Sequence, residues 1–220
     1  MKYKAAIFDM DGTILDTLQD LTDSVNYTMK QHGYPTFSQD EVRFMVGNGI
    51  PTLVHRAVPE GTSPEEEQEA LRTFMDYYPQ HSADATRPYP GIADLLKRLQ
   101  AAGVRTAVVS NKADIAVQGL VRQYFDGLFD AAAGDRKGVE RKPAPDLVNL
   151  VLEQLGVSPR EAVYIGDSDV DIATAKNAGL GGVFVDYGFR SRDFLIQNGG
   201  LEYGTIVSTA EEAGDVILGA

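Results

Sequence analysis

The apolar run AAIF at Ala5–Phe8 reads as a buried strand, yet no partner strand follows until RTAVVS at residues 105–110. Consecutive strands of one sheet usually lie close in sequence. A gap of that length therefore constrains the fold more than any other feature of the chain. Between the two runs the pattern is helical. Leu18, Leu21, Val25 and Met29 recur at helical spacing, with Gly33 as a stop. Ser38 with Glu41 forms a capping box for a short helix that Gly47 closes. Ser63-Pro64 with Glu66 opens another helix, whose apolar face comprises Leu71, Phe74, Met75 and Tyr78.

From Pro88 onward the rhythm alternates. A helix carrying Ile92, Leu95, Leu96 and Leu99 stops at Gly103, and the strand at 105–110 follows. A helix with Leu120, Val121 and Tyr124 precedes the apolar stretch GLFDAAAG, and one with Leu147, Val151 and Leu155 precedes the strand AVYIGD. A further helix ends at Gly179, GGVFVD is a fifth strand, and a final helix starts at Ser208 with Glu211 completing its capping box. Such alternation implies an α/β fold: a Rossmann-like parallel sheet with helices on both faces. The long gap is then an inserted α-helical cap. The expected division is a core of residues 1–14 and 88–220 and a cap of residues 15–87.

Composition narrows the partners. With 32 acidic against 20 basic residues the formal net charge is −12, which disfavours nucleic acid and anionic membranes. No run approaches the roughly 18 apolar residues of a membrane span, and acids interrupt the N-terminal segment where a signal-peptide core would lie. A cytoplasmic protein, monomer or homodimer, is expected. The chain has no cysteine, which excludes disulfides, thiolate metal sites and a cysteine nucleophile. His32, His55 and His81 lack zinc-site spacing and read as helix residues.

Ligands of open parallel sheets bind at the carboxyl ends of the strands. Those ends here are rich in acids: Asp9 and Asp11 after the first strand, Asp167, Ser168, Asp169 and Asp171 after AVYIGD, and Asp186 after GGVFVD. Ser110-Asn111 ends the strand at 105–110, and the loop GVERKPAPD holds Lys142 between an arginine and Pro143. Side chains two apart along an extended segment share a face, so Asp9 and Asp11 repel unless one is protonated or a cation intervenes. Oxygen ligands of this kind suit Mg²⁺. Asp9 is a candidate nucleophile, and Asp11 a candidate acid/base. Gly12 permits a sharp turn close to a ligand, and Thr13 caps or supports that turn. Ser110 offers a hydroxyl to a phosphoryl oxygen or an N-cap to a following helix, whose first N–H groups favour an anion. No G-x-S-x-G elbow accompanies it as a nucleophile would require. Lys142 offers a point charge. Asp171 lies in a helix first turn, where it can bind metal-bound water or hold Lys142. Asp169 and Asp186 are weaker candidates. Together the set suits Mg²⁺-dependent phosphoryl transfer on a small phosphate ester.

The motifs DMDGT, VVSN, KPAPD and GDSDVD, in that order, resemble the haloacid dehalogenase-like superfamily. The resemblance extends over essentially the whole chain. It implies Asp9 as nucleophile, Asp11 as general acid/base, and Ser110 and Lys142 against the phosphoryl group. It places Mg²⁺ on Asp9, the Asp11 carbonyl and Asp167, with Asp171 in support. An Asp two residues after the nucleophile is similar to the phosphatases and mutases, not the dehalogenases. The segment VGNGIPTLVHRAV resembles the cap of phosphoglycolate phosphatases, which implies that Gly47, Asn48 and Gly49, with Gly12 and Asn111, bind substrate. β-Phosphoglucomutases carry an arginine where Ile50 stands, which weighs against a mutase; pyrophosphatases and nucleotidases stay open. Outside the enzymes, a receiver-like phospho-switch also combines strand-end acids, a hydroxyl and a lysine, but is shorter and has no such insertion. A silent binding protein would not need the intact acid set.

Overall fold

The computed structural model describes residues 3–219. In chain order the elements are β1 (Ala5–Phe8), β2 (Leu15–Asp16), α1 (Leu18–Gln31), α2 (Gln39–Met45), α3 (Ile50–Ala57), α4 (Pro64–His81), β3 (Arg87–Pro88), α5 (Ile92–Ala101), β4 (Arg105–Ala113) and α6 (Asp114–Phe125). They continue with β5 (Ala131–Asp135), α7 (Asp146–Leu155), β6 (Ala162–Gly166), α8 (Asp169–Ala178), β7 (Gly181–Val185), α9 (Arg192–Gln197), α10 (Gly200–Tyr203), β8 (Gly204–Val207) and α11 (Ala210–Leu218). The chain forms two compact units. One runs up to Leu15 and resumes at Pro88; the other is Asp16–Arg87.

The first unit is a six-stranded sheet in the order β5-β4-β1-β6-β7-β8, with every pairing parallel. β1 sits between β4 and β6, and its four residues are all fully buried. A strand covered on both faces has no need of polar alternation, which is why AAIF is uninterrupted. Ala5, Ile7, Val109, Tyr164 and Phe184 point into one core with Leu147, Val151 and Leu152 of α7 and Ile172 and Ala175 of α8. The alternate residues Ala6, Phe8, Val163 and Val183 face the other side, where α5 and α11 pack on each other and on β4 and β7 respectively. Each large side chain so buried contributes about 1.5–3 kcal/mol. Parallel order puts the C-terminal ends of β1, β4 and β6 side by side, so the segments after Phe8, Val109 and Gly166 converge.

The second unit is helical. α1 buries Leu18, Leu21, Val25 and Met29, as their spacing predicts. The Ser38–Glu41 and Ser63–Glu66 capping boxes both form. Asp20, almost fully buried, accepts hydrogen bonds from the Ala85 and Thr86 N–H groups (2.8 and 2.9 Å) and the Thr86 hydroxyl (2.7 Å), joining the start of the unit to its end. The chain enters through β2 and leaves through β3, which pair as a two-stranded sheet.

Several expectations need correction. On α4 the buried stripe is Ala70, Phe74 and Tyr78; Met75 is 44% exposed and Leu71 is only partly buried. The i, i+4 row decides the face, and a small alanine on it outranks a large methionine off it. The sheet has a sixth strand, β8, with α9 and α10 before it. The last helix is capped one residue later than expected: the Thr209 hydroxyl accepts from the Glu212 N–H. Ser110 is not a helix N-cap, because β4 continues to Ala113 and α6 starts at Asp114. The anion site that helix N–H groups would have offered beside Ser110 is therefore not there.

Candidate active site

The turn after β1 begins the site. Leu15 N–H returns to the Met10 carbonyl (3.0 Å) and Gly12 N–H reaches the Leu15 carbonyl (2.9 Å), so the chain reverses within a few residues. Gly12 adopts φ +85°, and a Cβ there would fall 2.4 Å from Asp167 Oδ2. Only glycine serves, both for its backbone angle and because the turn lies against a carboxylate. Thr13 is neither a cap nor a turn filler: its hydroxyl donates to Asp167 Oδ1 at 3.1 Å.

Lys142 is the hub. Its ammonium lies 2.8 Å from Asp9 Oδ1 and 2.9 Å from Asp171 Oδ1, and donates to the Tyr164 hydroxyl at 2.9 Å. Three donors meet three partners, so the ammonium is fully committed. The Asn111 carboxamide fixes its backbone: Oδ1 accepts from Lys142 N–H (2.9 Å) and Nδ2 donates to the Lys142 carbonyl (3.1 Å). Burial opposes charge on Lys142, but Asp171 and Asp9 outweigh it and hold the ammonium well above its ordinary pKa.

Asp171 is the N3 residue of α8 and completes a capping box with Ser168. Its Oδ2 accepts from the Asp167 and Ser168 N–H groups (3.2 and 3.1 Å) and from the Ser168 hydroxyl (2.6 Å). Its Oδ1 takes Lys142 and Tyr164. Five donors saturate a carboxylate with about four lone-pair sites. Asp167 differs: each oxygen accepts one hydrogen bond, from Thr13 on Oδ1 and from Phe189 N–H on Oδ2 (2.7 Å).

Carboxylate oxygens of Asp9, Asp167 and Asp171 lie within 4.8 Å of one another. Burial pushes the Asp9 carboxyl up from 3.8 to about 7 against the pull of Lys142, and neighbouring Asp171 and Asp11 add to the rise. Burial, then Asp171 and Asp9, hold Asp167 well above the usual carboxylate range. This strain among like charges is what a hard divalent cation relieves. The donor set is all oxygen, Asp167 keeps acceptor capacity, and no cysteine or histidine intrudes, so the residues fit Mg²⁺. Because its acceptor sites are filled, Asp171 fits as a support for Lys142 and the Asp167 turn rather than as a direct ligand.

Of the residues read from sequence, Asp9, Asp167, Asp171 and Lys142 come together. Asp11 sits beside them in the same turn, 3.1 Å from Lys112 Nζ. Ser110 is buried within the neighbouring strand β4. Asn111 engages Lys142. Asp169 opens α8, and Asp186 pairs with Arg192 and Ser208 instead. Gly47, Asn48 and Gly49 belong to the second unit. There Gly47 and Gly49 have φ +126° and +82°, and Arg56 braces the loop by donating to Asn48 Oδ1 (3.0 Å) and the Met45 carbonyl (2.7 Å). The sequence reading overlooked Lys112, Tyr164 and the loop at Gly188-Phe189. Tyr164 left a signal, a hydroxyl inside an otherwise apolar strand; Lys112 follows the polar pair Ser110-Asn111 and left none. At Gly188 a Cβ would fall 2.2 Å from the Gly12 carbonyl, so this loop closes on the turn.

A sequence profile of the haloacid dehalogenase-like hydrolases matches residues 6–185, and the chain belongs to that family. It is a phosphomonoester hydrolase. A phosphoglycolate phosphatase of Colwellia psychrerythraea is 33% identical, over 88% of either chain, and one of Vibrio vulnificus is 34% identical over 84% of this chain and 85% of its own. The crystal structure of a protein from Lactobacillus delbrueckii subsp. bulgaricus, provisionally assigned as a phosphoglycolate phosphatase, superposes with TM-score 0.95 at 42% identity over all of both chains. Among the described residues, no helix is long and apolar enough to cross a membrane.

Proposed function

We propose that the chain hydrolyses a small phosphomonoester, 2-phosphoglycolate foremost, through an aspartyl-phosphate on Asp9. The observation that carries this reading is the Lys142 ammonium 2.8 Å from Asp9 with Asp167 and Asp171 alongside. The choice of substrate rests on the similarity to phosphoglycolate phosphatases and on Ile50, where a mutase would carry a phosphate-binding arginine. Mg²⁺, held by Asp9, Asp167 and the Asp11 carbonyl, would neutralise charge on the phosphoryl oxygens. Asp9 attacks phosphorus while Lys142 orients its carboxylate and offsets the charge that gathers beside it, and the Ser110 hydroxyl faces the phosphoryl group. Asp11 gives its proton to the departing alkoxide oxygen. It then takes a proton from the water that cleaves the acyl phosphate, releasing inorganic phosphate and restoring Asp9. The Gly47-Asn48-Gly49 loop is assigned to the organic part of the substrate. Division into core and cap follows the two compact units.

A panel of 2-phosphoglycolate, pyrophosphate, sugar phosphates and nucleotides, with Mg²⁺ and with chelator, tests the proposal. Preferred, metal-dependent turnover of 2-phosphoglycolate is expected. Preference for another ester would move the substrate within the same chemistry. A long-lived phosphoprotein from acetyl phosphate, with no turnover of any ester, would replace the enzyme with a switch.

A further inference from the structure

Lys112 is buried, its side chain only 3% exposed, and the chemistry above does not use it. A buried ammonium costs several kcal/mol unless it is paired. Its ion pair is with Asp11 Oδ1 at 3.1 Å. We propose that Lys112 is the positioning residue for the acid/base Asp11, holding its carboxyl by Oδ1 so that Oδ2 handles the proton. The inference rests on the phosphatase reading and deepens it.

Three features support the assignment. First, Lys142 cannot do this work: its three donors are taken by Asp9, Asp171 and Tyr164. The two carboxylates of the first turn thus have a lysine each, one for the nucleophile and one for the acid/base. Second, Asp11 lies beyond the end of β1, in a tight turn bridged to Leu15, and backbone pairing of that kind does not choose a side-chain rotamer. An ammonium on one oxygen selects one orientation. It also selects one protonation site, because an ammonium has donors only and cannot face a carboxyl O–H. Third, Lys112 is itself fixed. It lies within β4, and its N–H donates to the Ser110 hydroxyl oxygen at 3.2 Å. The tripeptide Ser110-Asn111-Lys112 then acts as a unit. Its hydroxyl faces the phosphoryl position, its carboxamide fixes Lys142 and its ammonium fixes Asp11.

The test is a double-mutant cycle on an alkyl phosphate substrate with Lys112→Met, Asp11→Asn and the pair. Positioned acid/base catalysis contributes roughly 10²–10⁴-fold. Lys112→Met is therefore expected to lower kcat by about 10²-fold with KM within about threefold. In the Asp11→Asn background the same change should cost almost nothing, because the group it positions is already gone. A second readout separates positioning from structural damage. With 4-nitrophenyl phosphate the leaving group needs little protonation, so Lys112→Met should release a rapid burst of nitrophenolate and then turn over slowly, when water must be deprotonated. Losses that multiply across the cycle, a vanished burst or an unchanged kcat would each overturn the proposal. Lys112→Gln, run in the same cycle, carries the test if the methionine variant fails to fold. A wild-type protein inactive on every ester would instead overturn the underlying phosphatase reading, and with it this role.

Discussion

The crowded carboxylates make metal binding depend on pH in a direction that can be worked out. Asp9 titrates near 3.8 when unfolded and near 7 in the metal-free fold. Between those values the folded chain carries a proton that the unfolded chain has lost. Metal-free stability therefore falls as pH rises from about 4 to about 7, and levels off above. A shift of that size corresponds to roughly 4 kcal/mol. Asp167 is displaced in the same direction and adds to the slope. Mg²⁺ binds the ionised form, so below pH 7 it must expel the proton. Its affinity should drop at least about tenfold per pH unit there, reaching at least about 100-fold weaker at pH 5 than at pH 8. Calorimetric titration of Mg²⁺ at pH 5, 6, 7 and 8, in two buffers of different ionisation enthalpy, measures affinity and released protons together. At least one proton should be released at pH 5.5 and fewer at pH 8.5. In Asp9→Asn the pH dependence should flatten. Equal affinity at pH 5.5 and 8 in the wild type, with no proton release, would refute the electrostatic account of the site.

Three further outcomes are expected. Asp9→Asn should fold and abolish turnover, as an amide neither attacks phosphorus nor ligates Mg²⁺ well; phosphate release and a thermal melt report both. Asn111→Ala removes two hydrogen bonds from the Lys142 backbone, which should cost about 1–3 kcal/mol in denaturant unfolding and lower kcat more than it raises KM. Gly12→Ala forces a Cβ to 2.4 Å from Asp167 Oδ2 at φ +85°, so Mg²⁺ affinity in the same calorimetric assay should fall by at least tenfold.

Much of the fold was legible because its signals are local. The uninterrupted AAIF, the helical rows of α1 and α5, and the Ser38 and Ser63 capping boxes each need only a few neighbouring residues. β8 was missed for the complementary reason. At four residues, with Gly204 and Thr205 partly exposed, it is too short to show a period, and its identity as a strand comes from pairing with β7. The site divides in the same way. Acids at strand ends stand out in sequence, but their partners do not. Thr13 after an Asp-Gly pair reads as turn chemistry until Asp167 is seen 3.1 Å away. Tyr164, inside the apolar run AVYIG, and Lys112, after Ser110-Asn111, gain a role only when the sheet places each beside its partner. Ser110 was misplaced because the strand runs past it: four polar or small residues, Ser110 to Ala113, resemble a strand end and are not one.

The Asp20 clamp has a consequence for how the family's architecture can vary. Three hydrogen bonds tie Asp20 to Ala85 and Thr86, and β2 pairs with β3 at the point of entry. To the sheet, the whole excursion from Asp16 to Arg87 is therefore a hairpin whose ends are pinned from within. Loop-closure entropy grows only as the logarithm of length, and here the excursion's own packing meets that cost. Such a module can be lengthened, shortened or exchanged without disturbing the register of β1 against β4 and β6. Residues within the hairpin can thus change while the site residues at the ends of β1, β4 and β6 keep their backbone register.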